Sequence, residues 1–285
     1  MRAISGEKLQ AESIRTGVLA ASGRNIDVVV HDSVDSTNAW SLQQCRAGKV
    51  LPFACFAEEQ TSGRGRRGKQ WLMQAHNNIA MSLSWPFDLL HQPIHLLPLS
   101  ISMAIVDTLE NLELDDVQVK WPNDVYVRGR KIAGVLIETQ PVRRNQLDAV
   151  CADANHVAAV VGVGLNYDMS VLRYDESLDL PTLTDICHEL ESGHEGNAPQ
   201  RSLVATLLLQ RVVEVCQSFQ QDAERYLEKF RARYDFCLGK NVEIILDNGE
   251  KRSGLATGVN DRAELLVMID GEQHVFNSAQ VSVRA

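Results

Sequence analysis

Val117-Gln118-Val119-Lys120-Trp121, Pro122-Asn123-Asp124, Val125-Tyr126-Val127, Arg128-Gly129-Arg130 and Lys131-Ile132-Ala133-Gly134-Val135-Leu136-Ile137-Glu138 follow one another without a gap. The first, third and last runs are short, apolar and rich in β-branched residues, the composition of strands. Pro122-Asn123-Asp124 breaks the first run and Arg128-Gly129-Arg130 turns the second. The segment is a meander of short strands, not a βαβ repeat, and it sets the fold class as α+β.

On either side the pattern continues. Residues 26–31 read as a strand, and Asp32 to Asn38 is rich in capping side chains ahead of a short helix carrying Trp40, Leu42 and Cys45. Phe53 to Ala57 is a buried strand, and Ile79 to Trp85 alternates like another. Leu99, Met103, Val106, Leu109 and Leu112 recur at helical spacing. His156 to Leu165 is a further apolar strand, 191–200 a loop, and 201–234 a long amphipathic helix with Leu203, Leu207, Val212, Cys216 and Phe219 on or near one face. After Cys237 the composition shifts. Val242 to Leu246, the turn Asp247-Asn248-Gly249, Leu265 to Ile269 and Val275 to Val283 read as a small all-β unit. The expected division is a segment 1–25, a larger unit 26–236 and a β unit 237–285.

The chain has 285 residues, 45% of them hydrophobic, and a formal net charge of −9. That balance argues against a general nucleic-acid binder. Cysteines at 45, 55, 151, 187, 216 and 237 form no C-x-x-C pair, so they read as reduced thiols and not as a structural zinc site. The N-terminus lacks the apolar region of a signal peptide. No apolar run reaches the roughly 20 residues of a spanning helix. The expectation is a soluble, cytoplasmic protein.

Against the acidic background, Gly63-Arg64-Gly65-Arg66-Arg67-Gly68-Lys69-Gln70-Trp71 stands out. Its glycines free the backbone, and its cations can surround one compact anion. Gly63-x-Gly65-x-x-Gly68 matches the dinucleotide pattern only formally, because Gln70 to Asn78 shows no helical periodicity and Asp88 follows Trp85-Pro86, not a second parallel strand. Gly63, Gly68 and Lys69 nearly make a P-loop, but Gln70 occupies the place of the hydroxyl that binds Mg²⁺. A solvated charged turn is the plainer alternative, disfavoured by the entropic cost of the glycines. Lys131 opens an apolar strand, where a lysine is ordinarily a snorkelling surface residue, and Gly134 permits close approach to the backbone. Loop and hairpin together can enclose a carboxylate and a phosphate.

Asp35 to Asn38, Gln60, Gly63 to Gly68 with Trp71, Lys120 to Asp124, Lys131 to Glu138 and Gly162 to Asn166 resemble, in order and spacing, the bacterial biotin–protein ligases. The likeness runs from Asp35 to about Arg284. It implies a mixed-sheet catalytic domain of the biotin/lipoate ligase type and an SH3-like β-domain. It also implies an enzyme that activates biotin with ATP as biotinyl-5′-AMP and transfers it to a lysine of a biotin carboxyl carrier protein. By this resemblance Ser36, Thr37 and Gln60 contact biotin at its ureido ring, with Asn38 in the same segment; an N-cap is the alternative for Ser36. Arg64, Gly65 and Arg66 lie along the biotin chain and phosphate, and Arg67 and Trp71 support or close the loop, core packing being the alternative for Trp71. Lys131, with Gly134 leaving room, holds the biotin carboxylate and anhydride oxygens. Lys120 and Asp124 face the acceptor lysine or the phosphate, although Asp124 is also a turn former. Lys131, Arg66, Lys120 and Asp124 are the implied catalytic set. Arg64, Arg66, Arg67, Asn123, Lys131, Asn166 and Arg284 are the implied ATP contacts, with Mg²⁺ held mainly by the phosphates. A homodimer through a sheet edge is a further expectation, and neither nucleic acid nor membrane is expected as a partner. Only about 30 residues precede Asp35, too few for the winged helix-turn-helix of many members, and Leu9 to Thr16 resembles only the linker after it. The segment Asp168 to Pro181 is expected over adenine through Leu172, Leu178 or Leu180.

Overall fold

The computed structural model describes residues 7–88, 93–147, 156–170, 182–193, 198–278 and 281–284. In chain order it forms α1 (Ala11–Ser22), β1 (Asp27–His31), α2 (Thr37–Ala47), β2 (Phe53–Ala57), β3 (Asn78–Asp88), α3 (Leu97–Asn111), β4 (Val117–Lys120), β5 (Asp124–Val127), β6 (Arg130–Pro141), β7 (His156–Asn166), α4 (Ile186–Gly193) and α5 (Arg201–Lys229). The C-terminal strands follow: β8 (Asn241–Leu246), β9 (Lys251–Val259), β10 (Leu265–Ile269), β11 (Glu272–Phe276) and β12 (Val281–Arg284).

The meander is present as β4, β5 and β6, paired antiparallel in sequence order. It forms one side of a seven-stranded sheet ordered β1-β2-β3-β7-β6-β5-β4. All neighbours are antiparallel except β1 and β2, which run parallel with α2 crossing between them. That one βαβ unit makes the sheet mixed. β3 and β7 sit at its centre and pair along their whole length, Asn78 with Asn166 to Asp88 with His156. Most of their small and β-branched residues are buried, Val157 and Gly164 being the partly exposed ones, as suits strands largely covered on both faces. Helices α3 and α5 pack together on one face, with Ile101, Ile105, Leu208 and Val212 fully buried. Glycine C-caps at Gly23 and Gly48, both left-handed, end α1 and α2.

Several boundaries differ from the sequence expectation. Within the described part of 1–25, α1 packs on the rest: it buries Ile14 and Val18 completely, one helical turn apart, and its Gly17 lies so close to Thr206 of α5 that a Cβ would meet Cγ2 at 2.5 Å. The long helix presents Val204, Leu208 and Val212 inward, leaving Leu203 half exposed. By length and composition the stretch 201–234 is apolar enough to cross a membrane, yet 56% of its most apolar window is buried inside the protein. α4 extends to Gly193, into the expected loop. β9 is an additional strand, its exposed alternate residues having masked the period.

The β unit after Cys237 is a five-stranded antiparallel sheet ordered β11-β10-β9-β8-β12, the SH3-like part of the fold. It is joined closely to the rest. The indole N–H of buried Trp121 donates to the Ala263 carbonyl at 2.8 Å, and Arg231 donates to the Val259 carbonyl at 3.1 Å. One large apolar cluster runs from α1 through both sheets, and a smaller one of Leu42, Cys45, Leu51, Phe53, Ala158 and Val160 lies under α2.

Candidate active site

One cavity opens over the centre of the seven-stranded sheet, walled by the start of α2, the basic loop, the β4–β5 turn, β6, β7 and β12. It brings together Ser36, Thr37, Asn38, Gln60, Arg64, Gly65, Arg66, Arg67, Lys120, Asn123, Asp124, Lys131 and Gly134. Two expected residues stand outside it. Asn166 is buried in the sheet, accepting from Asn78 at 3.1 Å and donating to the Thr184 carbonyl at 3.0 Å. Arg284 is exposed on β12, 3.7 Å from Glu243. The strand's alternation instead sends Val281 and Val283 to the cavity wall. Leu172, Leu178 and Leu180 lie outside the described residues.

The floor is made by glycines. Gly134 pairs with Gly164 and Leu136 with Gly162 across β6 and β7. A Cβ at Gly164 would sit 2.3 Å from the Trp71 ring, and one at Gly162 2.3 Å from Asn38 Oδ1. Trp71 therefore lies flat on the sheet where side chains are missing. Its indole nitrogen is buried with no hydrogen-bond partner. The position covers ligand space and sheet surface at once, so packing and lid roles coincide in this residue.

The basic loop is a closed excursion. Trp71 N–H bonds to the Gly63 carbonyl at 3.0 Å and Gly65 N–H to the Lys69 carbonyl at 2.7 Å. Only Gly68 of its glycines is left-handed (φ 71°), next to Arg67 at φ 56°. Gly63 is needed for space instead, because a Cβ there would meet the Trp71 carbonyl at 2.8 Å. The turn throws the three arginines in different directions. Arg64 pairs with Glu138 at 3.1 Å. Arg66 donates to Asn123 Oδ1 at 3.0 Å and to the Ser278 carbonyl. Arg67 pairs with Asp247 and donates to the Ile245 carbonyl at 3.3 Å, both across in the β unit.

The hairpin supplies the opposite wall. Lys131 Nζ sits 2.8 Å from Asp124 Oδ1 and 5.6 Å from the Trp71 ring centroid. Asn123 is fixed by its amide donating to the Val135 carbonyl at 2.7 Å. Lys120, over the ring of Tyr126 at 5.6 Å, makes no ion pair among the described residues. Burial pushes the Lys120 ammonium and the Arg66 guanidinium below their ordinary values. Six cationic side chains line the cavity, Lys69 among them, against the single carboxylate of Asp124. With Arg64 and Arg67 paired to Glu138 and Asp247 outside the lining, Arg66, Lys69 and Lys120 remain without a carboxylate partner among the described residues, an excess of positive charge that fits a phosphate-bearing or carboxylate ligand.

At the other end the side chains are neutral. Ser36 caps α2, accepting from Ala39 N–H at 3.5 Å. Gln60 Oε1 accepts the Thr37 N–H at 2.9 Å. Asn38 donates to Glu138 at 2.9 Å and to the Leu136 carbonyl at 3.2 Å, and Ser82 bridges Asn38 and Thr37. Asn38 is thus wholly occupied by protein partners. Ser82 and Glu138 were not among the expected site residues. A serine amid the apolar residues of β3 is the signal that marks Ser82. No group of three or more His, Cys, Asp or Glu that could hold a metal occurs among the described residues.

A neutral recess joined to a cationic trough over a mixed sheet is the setting of a ligase that handles an acid and a nucleotide. The biotin/lipoate A/B protein ligase family matches residues 30–155. The bifunctional ligase/repressor BirA of Escherichia coli is 30% identical over 266 residues, spanning 90% of this chain and 74% of that protein. The biotin–[acetyl-CoA-carboxylase] ligase of Mycobacterium tuberculosis is 29% identical over 96% of this chain and 95% of its own. The biotin protein ligase of Aquifex aeolicus, solved with biotin and ATP, superposes with a TM-score of 0.67 at 22% identity, covering 90% of this chain and 98% of that one. The chain belongs to the biotin–protein ligases.

Proposed function

We propose that the chain activates biotin as biotinyl-5′-AMP and transfers it to a lysine of a biotin carboxyl carrier protein or domain. The observation that carries this is Arg66, half-buried in a cavity whose cations outnumber its carboxylates. A desolvated guanidinium without a carboxylate partner is unfavourable until an anion arrives.

In the first step a biotin carboxylate oxygen bonds to the α-phosphorus of ATP, and the bond to pyrophosphate breaks. Both reactants are anions, so the step needs cations at the reacting centre. Arg64, Arg66 and Lys131 supply them, and arginine suits the task because it stays protonated and binds oxygens bidentately. Mg²⁺ enters as part of the nucleotide. In the second step the carrier amine attacks the acyl carbon and AMP leaves. Lys131 and Asp124 are paired while the site is empty. Drawing Lys131 to the ligand frees the Asp124 carboxylate to receive the amine's proton. Trp71 and the loop exclude water from the anhydride. The neutral recess at Ser36, Thr37 and Gln60 takes the bicyclic ring.

The test is ATP–pyrophosphate exchange with and without biotin, followed by the mass of an added carrier domain. Exchange should require biotin, and the carrier should gain one biotinyl group on a lysine. Exchange driven by lipoate and indifferent to biotin would overturn the substrate. Lys131→Ala should lower the exchange rate by about 10²- to 10³-fold; a variant at wild-type rate removes Lys131 from the mechanism.

A further inference from the structure

Lys131 reaches the cavity by an irregular route. In a regular strand, residues three apart face opposite sides. Yet Lys131 and Gly134 both line the cavity, and a Cβ at Gly134 would lie 3.4 Å from Lys131 Nζ. The reason is a bulge. Val125 pairs with Ala133 but Tyr126 pairs with Lys131, so Ile132 is the extra residue in β6. A bulge re-aims the side chain beside it and interrupts the ladder, which then needs support from elsewhere. The segment leading into α4 supplies it. The Thr184 N–H donates to the Lys131 carbonyl at 2.9 Å. Thr184 is itself held twice, by the Asn166 amide donating to its carbonyl at 3.0 Å and by its own hydroxyl donating to Glu189. Glu189, buried on α4, also receives Arg130 at 2.7 Å and Arg128 at 3.1 Å. Arg130 lies 3.2 Å from His188 Nε2 as well, and it directly precedes Lys131. Arg128 opens the two-residue turn Arg128-Gly129 at φ 49°, a left-handed place where Asn, Asp or Gly is the ordinary choice. Neither that arginine nor the bulge suits a hairpin built for stability alone. Together they aim one lysine.

We propose that Glu189 is a positioning residue for Lys131. Its carboxylate gathers Arg128, Arg130 and Thr184 to one point, which holds the chain on both sides of Lys131 and fixes the direction of the ammonium. Glu189 is not among the residues lining the cavity, so it acts through the lysine. The inference rests on the ligase reading above, in which Lys131 supplies positive charge at the reacting centre, and it names what keeps that charge in place. A misplacement of about 1 Å at such a group is enough to lower a rate by about 10²-fold.

The experiment measures biotin-dependent ATP–pyrophosphate exchange for Glu189→Gln in two backgrounds, the wild-type chain and Lys131→Met. Glutamine keeps the volume of Glu189 but loses its charge and one acceptor oxygen. In the wild-type background the exchange rate should fall by about 10- to 100-fold. In the Lys131→Met background the same change should lower it by less than about twofold, because nothing is left to position. Arg128→Gly serves if Glu189→Gln melts too low to assay. Glycine suits the left-handed turn, so the thermal midpoint should hold or rise while exchange falls by at least about threefold, again only where Lys131 is present. Equal fold-losses in the two backgrounds overturn the proposal, since they would mean a structural staple with no tie to Lys131. So does a folded Glu189→Gln chain at the wild-type rate. A wild-type chain that shows no biotin-dependent exchange would instead sink the ligase reading on which the proposal stands.

Discussion

Arg201 and Arg66 are both withdrawn from water, and the molecule treats them in opposite ways. Arg201 is 2% exposed and pairs with Glu58, itself 1% exposed. It also donates to the carbonyls of Glu7 and Asn78, while His76 Nδ1 lies 3.2 Å from the same carboxylate. That cluster ties the N-terminal segment, the end of β2 and the start of α5 together. The surface pair Arg128 and Arg130 meets buried Glu189 in the same spirit. Arg66 has only neutral acceptors, Asn123 and a carbonyl. Where charge is matched it ties segments of the fold together; where it is left without a carboxylate it remains open to an anion.

Three changes test this contrast. Arg201→Ala leaves the buried Glu58 carboxylate with only His76 and the Leu9 N–H as partners among the described residues, and should cost about 3–5 kcal/mol in urea unfolding. A loss below about 1 kcal/mol would erase the distinction. Arg66→Met should do the reverse, lowering biotin-dependent exchange by about 10²- to 10³-fold while leaving the unfolding midpoint unchanged or raised. A large destabilisation would show that Arg66 is structural after all. The smallest effect belongs to Asp235, whose pKa burial raises from 3.8. The folded state therefore binds its proton more tightly, so this group's contribution is full below pH 3.8 and is lost as pH rises through the raised value. Asp235→Asn removes that loss and keeps an acceptor for the N–H groups of Cys237 and Leu238. It should gain up to about 1 kcal/mol at neutral pH and nothing below pH 3.8. A gain that grows on acidification has the wrong sign.

Most of the strands were legible because their apolar runs are bounded by Pro, Gly and Asp turns. The meander is the clearest case. α1 was not, since a helix that buries only Ile14 and Val18 has too narrow a stripe to stand out. The parallel pairing of β1 with β2 was also hidden, because pairing is settled by what lies between strands, and α2 is short and polar on one side. At the site, residue types that carry charge were readable and directions were not. Nothing in Arg64-Gly65-Arg66-Arg67 tells that the three guanidinium groups diverge to Glu138, Asn123 and Asp247. That depends on two consecutive left-handed residues, Arg67 and Gly68. Asn166 and Arg284 were assigned by likeness of segment, and local geometry turns each elsewhere: Asn166 into the sheet, Arg284 out to solvent.

The chain contains four tryptophans. Trp85 and Trp121 are fixed in the core, the latter by its bond to Ala263, and Trp40 meets His31 and Phe53 edge-on. Trp71 alone lies on the glycine floor with its N–H unspent. Whatever enters against it changes the polarity around that indole first, with Trp121, also on the cavity wall, as the second reporter. The emission spectrum is therefore a built-in gauge of occupancy, and loading of the site can be followed by light without attaching a label.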